Sequence, residues 1–461
     1  MNILFLAPRL PFPADTGGKI RTWNILKQVA RFASVRLVCF SFDPEDKNYI
    51  PEIEKQGIKV TLVPCPQVNF WQKVKVVLFH PHPYSITKYN TELMRQAIVT
   101  LLAQEKFDLV HIDHLHMAHY IKLIKETRGS GSPVTSHQSP VVDTQLPSTV
   151  YLLPSLLDNH NVEYKILERG GKVEPRWWKK LIYIQQAAKT KNFERLAINK
   201  FNVVTAVSDD DANVLRELSG GTVNVEVLPN GVDTDFFQPS AGKNPSPVTS
   251  HRSPAVTRCL GDQVSSTPDD SVVFTGSMDW LPNDDAVRYF INEILPLIWQ
   301  KNPDIKFYIV GKSPSGALQQ LSKSINLRLD GLTTDSSGPL GCVILTGRVE
   351  DVRQYMSCAK VFVVPLRIGG GTRLKILEAM SFGIPVVSTS IGAEGIAYTN
   401  DKDIVIADEP QVFADAVLAL LKDEGKRARL SVAGRRLVME KYDWGIIGKK
   451  LNGIYGKMLA S

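Results

Sequence analysis

The chain predicts an α/β protein built of two Rossmann-like halves, and three observations carry that prediction. Short β-branched runs alternate with helical stretches, the pattern of parallel strands joined by covering helices. The pattern runs through seven strands, breaks in a Ser- and Pro-rich stretch, and restarts for six more. At 461 residues and 43% hydrophobic content, the chain has enough apolar mass for two ordinary domains, each with its own core.

In the first half the expected strands are Ile3 to Ala7, Val35 to Phe40, Lys59 to Val63, Leu109 to Ile112, Leu152 to Leu157, Val203 to Val207 and Val225 to Leu228. In the second they are Ser271 to Thr275, Lys306 to Val310, Val343 to Thr346, Val361 to Pro365, Pro385 to Ser388 and Ile404 to Ile406. The expected domains are residues 1–235 and 236–441, with 442–461 as a terminal helix. Two polar stretches, 129–149 and 241–270, are far longer than ordinary αβ connections of about 2 to 6 residues and read as inserted loops. They share a near-identical ten-residue run, Ser132 to Val141 and Ser246 to Ala255, too short for a solenoid repeat and too close for chance. His137 and His251 recur within it; a paired metal site there lacks further ligands. Residues 331–341 read as a third such loop.

Five scattered cysteines, none in a C-x-x-C pair, argue against a disulfide framework or zinc site and fit a reducing, cytoplasmic compartment. The apolar start Ile3 to Ala7 lacks a basic leader and meets Pro8-Arg9 at once, so it reads as a first strand and not a signal peptide. No apolar run approaches membrane-spanning length. A net charge of +7 suits an anionic substrate or an acidic membrane surface, and no nucleic-acid-binding motif accompanies it.

The run Gly369-Gly370-Gly371-Thr372-Arg373-Leu374-Lys375-Ile376-Leu377-Glu378 follows the Val361 to Pro365 strand and opens an apolar helix ending at Gly383. Glycines between a strand and a helix admit close approach of a ligand, and the free amides of a helix start favour phosphate. Arg373 and Lys375 add positive charge there, and Glu378, one turn further, can accept hydrogen bonds from a pair of sugar hydroxyls. The plain alternative is a glycine turn followed by a solvent-exposed Lys375–Glu378 pair.

After the first strand, Gly17, Gly18 and Lys19 offer a second approach to a pyrophosphate, against the alternative of a simple Pro and Gly turn. His111, His114, His116 and His119 crowd the fourth strand's end, and Asp158-Asn159-His160-Asn161-Val162-Glu163 ends the fifth. Glu163 either orients a neighbour or caps the following helix. Asn69 to Phe79 and Arg176 to Ile182 mix aromatics with basic residues, as segments at an anionic membrane interface do; core packing with snorkelling lysines is the alternative.

The second half resembles glycosyltransferase family four, retaining sugar-nucleotide-dependent enzymes of the GT-B fold. The matching stretches, in family order, are Phe274 to Trp280, Phe307 to Gly311, Leu345 to Val352, the glycine-rich run and Gly383 to Thr389, with Leu228 to Asp233 resembling the junction. One departure is Gly370, where many members carry a glutamate. The resemblance implies two domains facing across a cleft that holds the active site, an acceptor domain first and a nucleotide-sugar domain second, with the C-terminal helix returning to the first.

It implies transfer of a sugar from a nucleotide-diphosphate donor to a sugar or lipid-linked acceptor, with cell-surface polysaccharide or glycolipid synthesis as the setting and the inner face of the membrane as the location. Arg373, Lys375 and the Thr372 helix start would hold the diphosphate, Glu378 the ribose, and Gly347 and Val349 would border the base. Gly17, Gly18, Gly369, Gly370 and Gly371 would line the donor. His114 and His160 would face the transferred sugar or acceptor, His116 and His119 would lie on a helix surface, and neither metal nor cofactor would be needed. Two rivals share the fold: a sugar-nucleotide 2-epimerase, which needs no acceptor, and a binding homologue without catalysis.

Overall fold

Alternation of side chains along β1 (Asn2–Ala7) organises the first sheet. Ile3, Phe5 and Ala7 pack into one core while Leu4 and Leu6 pack into another, because successive strand residues point to opposite faces. A strand covered on both sides needs a continuous apolar run, which this segment supplies. This computed structural model describes residues 1–129, 153–239, 269–332, 342–369 and 373–460. The Ser-Pro repeats, His137, His251 and the glycines Gly370 and Gly371 with Thr372 lie outside the described residues, as do 333–341.

The chain divides into two units, Met1–Asn230 together with Trp444–Ser461, and Gly231–Asp443. In the first, β2 (Ser34–Ser41), β3 (Ile58–Pro64), β4 (Leu109–Asp113), β5 (Ser155–Asp158), β6 (Val203–Ala206) and β7 (Asn224–Val227) join β1 in the order β3-β2-β1-β4-β5-β6-β7. In the second, β8 (Asp269–Thr275), β9 (Lys306–Val310), β10 (Val343–Gly347), β11 (Ala359–Val364), β12 (Val386–Ser388) and β13 (Val405–Ile406) run β10-β9-β8-β11-β12-β13. Every pairing within both sheets is parallel. Each expected strand is therefore present, with ends moved by no more than three residues, the largest shift being the start of β5 at Ser155 and not Leu152. The second polar stretch was expected to reach Asp270, yet Asp269 and Asp270 already belong to β8, where Asp270 takes an ion pair from Lys360 at 2.5 Å.

In both sheets the strand order reverses once, between β1 and β4 and between β8 and β11, and a crevice at the carboxyl ends of such strands is where doubly wound sheets hold ligands. The helix Trp444–Ala460 closes one face of the first unit: Ile447, Leu451, Ile454 and Tyr455 share a core with Ile3 and Phe5. It comes so near the helix Gly17–Val29 that a Cβ on Gly448 would lie 2.8 Å from Gln28.

Candidate functional site

Polar chemistry gathers at both switch points. In the first unit the loop after β1 delivers Gly17 and Gly18 to the start of the helix Gly17–Val29, and β4 delivers Asp113 and His114. His114 takes φ 69, a left-handed conformation uncommon for a side-chain-bearing residue, and its ring lies over Gly18, where a Cβ would meet Nε2 at 3.4 Å. Its centroid is 3.5 Å from that of His160, which follows β5. His160 Nε2 in turn is 2.7 Å from Asp113 Oδ1, and Thr22 Oγ1 donates to Asp113 Oδ2 at 2.8 Å. Burial lowers the His160 pKa to about 3, so the ring is neutral and donates its Nε2 proton to Asp113. His114 is likewise held well below its ordinary value, by burial and then by His160.

Beneath this pair lies a fully buried ion pair. Arg21 Nε and Nη2 donate to the two Asp158 oxygens at 3.0 and 2.7 Å, and its remaining hydrogens reach the carbonyls of Leu228 and Pro229 and the Asn230 side chain, each at 3.0 Å. Burial alone would raise the Asp158 pKa; the Arg21 charge, His160 and the Arg21 hydrogen bonds outweigh it and hold the carboxyl low. Asp113, His114 and His160, and separately His111, Asp113 and Asp158, each bring one potential metal-ligand atom within 4.8 Å of the others. Both triplets are already internally committed: a cation would have to displace the His160–Asp113 bond or compete with Arg21 for Asp158.

His116 and His119 are not the helix-surface residues the sequence suggested. His116 lies half-buried on a 3-10 turn, Leu115–Met117, its ring 5.6 Å from Tyr89 and 5.7 Å from His114. His119 is half-buried in the turn before the helix Tyr120–Gly129, 4.0 Å from the Tyr120 ring. His111 is a structural contact, stacked on Phe5 at 4.2 Å and hydrogen-bonded through Nδ1 to the Tyr455 hydroxyl at 2.6 Å. A cavity of about 180 Å³ opens above this group, with Gly18, Thr22, His114 and His116 among its lining. Glu163 does not cap its helix; Val162 holds that position, and burial pushes the Glu163 carboxyl up to about 7.

In the second unit, Lys375 and Glu378 lie on the helix Leu374–Phe382, both half-buried, so they are not a solvent-exposed pair. Lys375 Nζ donates to Asn283 Oδ1 at 2.8 Å and sits 3.9 Å from the centre of the Phe274 ring. Asn283 is itself fixed by donating to the Ser277 carbonyl at 2.8 Å. Gly276, at φ 157 just after β8, leaves room for both: a Cβ there would stand 2.7 Å from Asn283 Nδ2 and 2.8 Å from Lys375 Nζ. Arg373 occupies the N-cap position of the helix and folds over Gly369, whose φ of 150 and closeness to the guanidinium leave no space for a side chain. Gly347 ends β10 in the left-handed region, two strands from β8, and Val349 packs partly buried against the core. Burial and then the Arg373 charge lower the Lys375 pKa to about 7, while burial raises that of Glu378 to about 7 against the pull of Lys375.

Asn283 beside Lys375, and Asp113 and Thr22 beside the histidines, were not singled out by sequence; Phe274 and Gly276 were named only within a family-matching stretch and Asp158 only as part of a strand end. A local signal existed for Asp113, a carboxylate ending an otherwise apolar strand between two histidines. None existed for Asn283, which lies 92 residues from its partner Lys375.

A family model described as "Glycosyltransferase Family 4" matches residues 46–236, and one described as "Glycosyl transferases group 1" matches residues 269–423. A Klebsiella pneumoniae protein described as an uncharacterized 44.6 kDa protein in the cps region is 28% identical over 174 residues, 38% of this chain and 42% of that protein. A GDP-mannose-dependent alpha-(1-6)-phosphatidylinositol monomannoside mannosyltransferase of Mycobacterium tuberculosis is 27% identical over 263 residues, 54% of this chain and 60% of that enzyme. The matches thus span about half the length of these relatives. Among solved structures, a sucrose-phosphate synthase from Thermosynechococcus elongatus superposes with a TM-score of 0.67 over 100% of this chain and 99% of that one; at 16% identity the likeness is one of fold.

Proposed function

Because the chain belongs to glycosyltransferase family 4, the group 1 glycosyltransferases, we propose that it is a retaining enzyme moving a sugar from a nucleotide-diphosphate donor to an acceptor hydroxyl. The observation that carries this reading is Lys375, a half-buried amine whose hydrogen-bond partner is the Asn283 amide, at the switch point of the second sheet. Such a group gains most from an anion that arrives with the substrate. In this reading Arg373 and Lys375 hold the diphosphate and stabilise charge on the leaving oxygen, the part a divalent ion plays elsewhere, so none is needed. Glu378 grips the ribose, Gly347 and Val349 border the base, and Gly17, Gly18 and Gly369 let the donor approach the backbone. The acceptor oxygen attacks on the face the nucleotide leaves, and the departing phosphate takes its proton. No protein nucleophile is required.

The test is calorimetry against a panel of nucleotide sugars beginning with GDP-mannose, the donor named for the mycobacterial relative, followed by release of nucleoside diphosphate in the presence of a chelator. Binding of no nucleotide sugar, or turnover restored only by an added divalent ion, would overturn the assignment.

His114 and His160 contact the transferred sugar or the acceptor in this scheme. Replacing His114 with alanine is expected to slow transfer by at least about a hundredfold, the lower range for a positioned imidazole, with nucleoside-diphosphate affinity unchanged. Transfer at the wild-type rate would remove His114 from the reaction.

The acceptor side faces an anionic membrane in the same reading. Phe70, Trp71 and Phe79 on the helix Phe70–Phe79 are exposed, as are Trp177, Leu181 and Ile184 on the helix Trp177–Ile198, so these aromatics do not pack in a core. Gln186 and Lys189 bind the Val77 carbonyl at 2.9 and 3.0 Å and join the two helices into one platform. Lys73, Lys75, Lys179 and Lys180 lie on the same helices. Among the described residues no helix is long and apolar enough to cross a membrane. The protein should sediment with anionic vesicles at low salt and release at high salt, each lysine near the surface contributing about 1 kcal/mol. A Trp71→Ser/Trp177→Ser variant should sediment several-fold less, and equal sedimentation of the two would argue that this platform is not the contact.

A further inference from the structure

Phe42, just past β2, carries two cations on its ring: Arg9 Cζ stands 5.2 Å and Lys88 Nζ 4.5 Å from the centroid, and Lys88 Nζ is also 5.3 Å from the Tyr89 ring. Among the described residues neither cation makes an ion pair or hydrogen bond with a protein group. The charges that bear on Lys88 are Cys65, Arg9 and Lys73, with no carboxylate among them. Cation–ring contact contributes about 0.5–1 kcal/mol at exposed sites, enough to orient a long side chain but a weak return for setting two like charges about one ring. An arriving anion supplies what the protein leaves out.

The location of the pair gives it a use. Arg9 and Tyr89 line the same cavity of about 180 Å³ whose wall includes Gly18, Thr22, His114 and His116, at the reversal point of the first sheet. Lys88 adjoins Tyr89 in sequence, and Tyr89 is locked by the hydroxyl of Tyr120, which donates to its carbonyl at 2.5 Å. Lys88 is therefore presented by a hydrogen-bonded segment anchored at buried Tyr89, while Arg9 reaches the same ring from the exposed loop after β1. His116, in the same wall, is kept neutral by burial and then by Arg9 and Lys88, with a pKa of about 4; Lys19 also lines the cavity but is paired with Asp15 at 3.2 Å, which leaves Arg9 and Lys88 as the cations here without a carboxylate partner among the described residues.

We infer that this cavity receives the acceptor and that Arg9 and Lys88 grip a phosphate carried by it, so that the acceptor is a phosphorylated alcohol or sugar. The inference rests on the transferase reading, since it presumes that an acceptor binds at all. Its chemistry is a charge-assisted contact of guanidinium and ammonium with phosphate oxygens, placed beside His114. A soluble sugar phosphate and a phospholipid headgroup both satisfy it.

The test uses the full chain and two probes, glycerol 3-phosphate followed by calorimetry and vesicles of phosphatidylinositol in phosphatidylcholine followed by sedimentation. The Arg9→Gln/Lys88→Gln variant is expected to bind whichever probe the wild type binds at least about tenfold more weakly, as loss of two charge-assisted contacts requires. Lys375→Ala should bind that probe normally. Phe42→Leu, which keeps both charges and removes their ring, should lose a few-fold. Glycerol 3-phosphate binding that depends on Arg9 and Lys88 identifies a soluble acceptor; dependence seen only with vesicles identifies a lipid one. Equal binding of both probes by wild type and the double variant, or of neither by the wild type, overturns the inference. Nucleoside diphosphate, titrated into the same samples, reads the transferase assignment separately: if the wild type fails to bind it, that assignment falls whatever the phosphate probes do.

Discussion

Replacing Lys375 with alanine is expected to weaken nucleoside-diphosphate binding by about ten- to a hundredfold, because a hydrogen bond to a charged group is worth about 1.5–3 kcal/mol and about 1.4 kcal/mol is a factor of ten. The loss should carry a pH signature. Burial and the Arg373 charge lower the Lys375 pKa to about 7, so in the empty protein the ammonium forms only as pH falls through that value. Diphosphate favours the charged form, and binding above pH 7 should therefore take up a proton and weaken as pH rises. Nucleotide phosphates titrate near this range as well, so the diagnostic quantity is the difference between wild type and Lys375→Ala, measured by calorimetry in buffers of unlike ionisation heat. If both show the same proton uptake and affinity, Lys375 is not a phosphate ligand.

The same two groups shape stability without ligand. Between about 7 and its ordinary 10.5, Lys375 binds fewer protons folded than unfolded, so its contribution to stability rises with pH across that window. Glu378 is raised from 4.5 to about 7 and binds more protons folded than unfolded there, so its contribution is lost as pH rises through that window. The two contributions together are lowest near pH 7, where a diphosphate would offset the cost of the ammonium.

What the sequence made legible follows from how far each signal reaches along the chain. Strands buried on both faces, such as Phe307 to Val310 and Val361 to Val364, announce themselves because every residue must be apolar. The end of the helix at Gly383 was equally plain, since φ of 84 there favours glycine. Residues at strand ends, His114, His160 and Gly347, were legible as positions, for a strand–loop–helix pattern marks its own carboxyl end. Partners were not. Asn283 meets Lys375 only because β8 and β11 are neighbours in space, and nothing in the Leu281 to Asp285 segment encodes that pairing. His116 was misread for a related reason: the expectation was of a regular helix after β4, whereas the left-handed turn at His114 opens a 3-10 turn that rotates His116 toward Tyr89.

Arg21 is the residue whose weight the sequence hid most completely, and its removal should give the largest stability effect in the first unit. An arginine in the first turns of a helix ordinarily points to solvent, yet Arg21 is 1% exposed and spends all its hydrogens on Asp158, Asn230 and the Leu228 and Pro229 carbonyls. It thereby fastens the helix Gly17–Val29 to the ends of β5 and β7, elements more than a hundred residues away. Arg21→Met would leave Asp158 a buried charge without its cation, held only by the Thr205 hydroxyl and neighbouring histidines, a loss expected to cost about 3–5 kcal/mol. At about 2–4 °C per kcal/mol for a unit of this size, the first unit's melting temperature should fall by roughly 6–20 °C. Asp158→Asn should fall less, since the amide still accepts from Arg21. The double variant Arg21→Met/Asp158→Leu should recover part of the loss, because it removes the stranded charge but orphans the Thr205 hydroxyl and two carbonyls. Nucleoside-diphosphate affinity, measured well below the melting temperature, should change far less than stability in all three, because the charged groups proposed to hold the diphosphate, Arg373 and Lys375, lie in the other unit and only the Gly17–Gly18 approach lies on this helix. Calorimetric melting decides the matter: an Arg21→Met variant that unfolds within a degree or two of wild type would mean that the buried pair contributes nothing net and that the apolar core alone holds this helix in place.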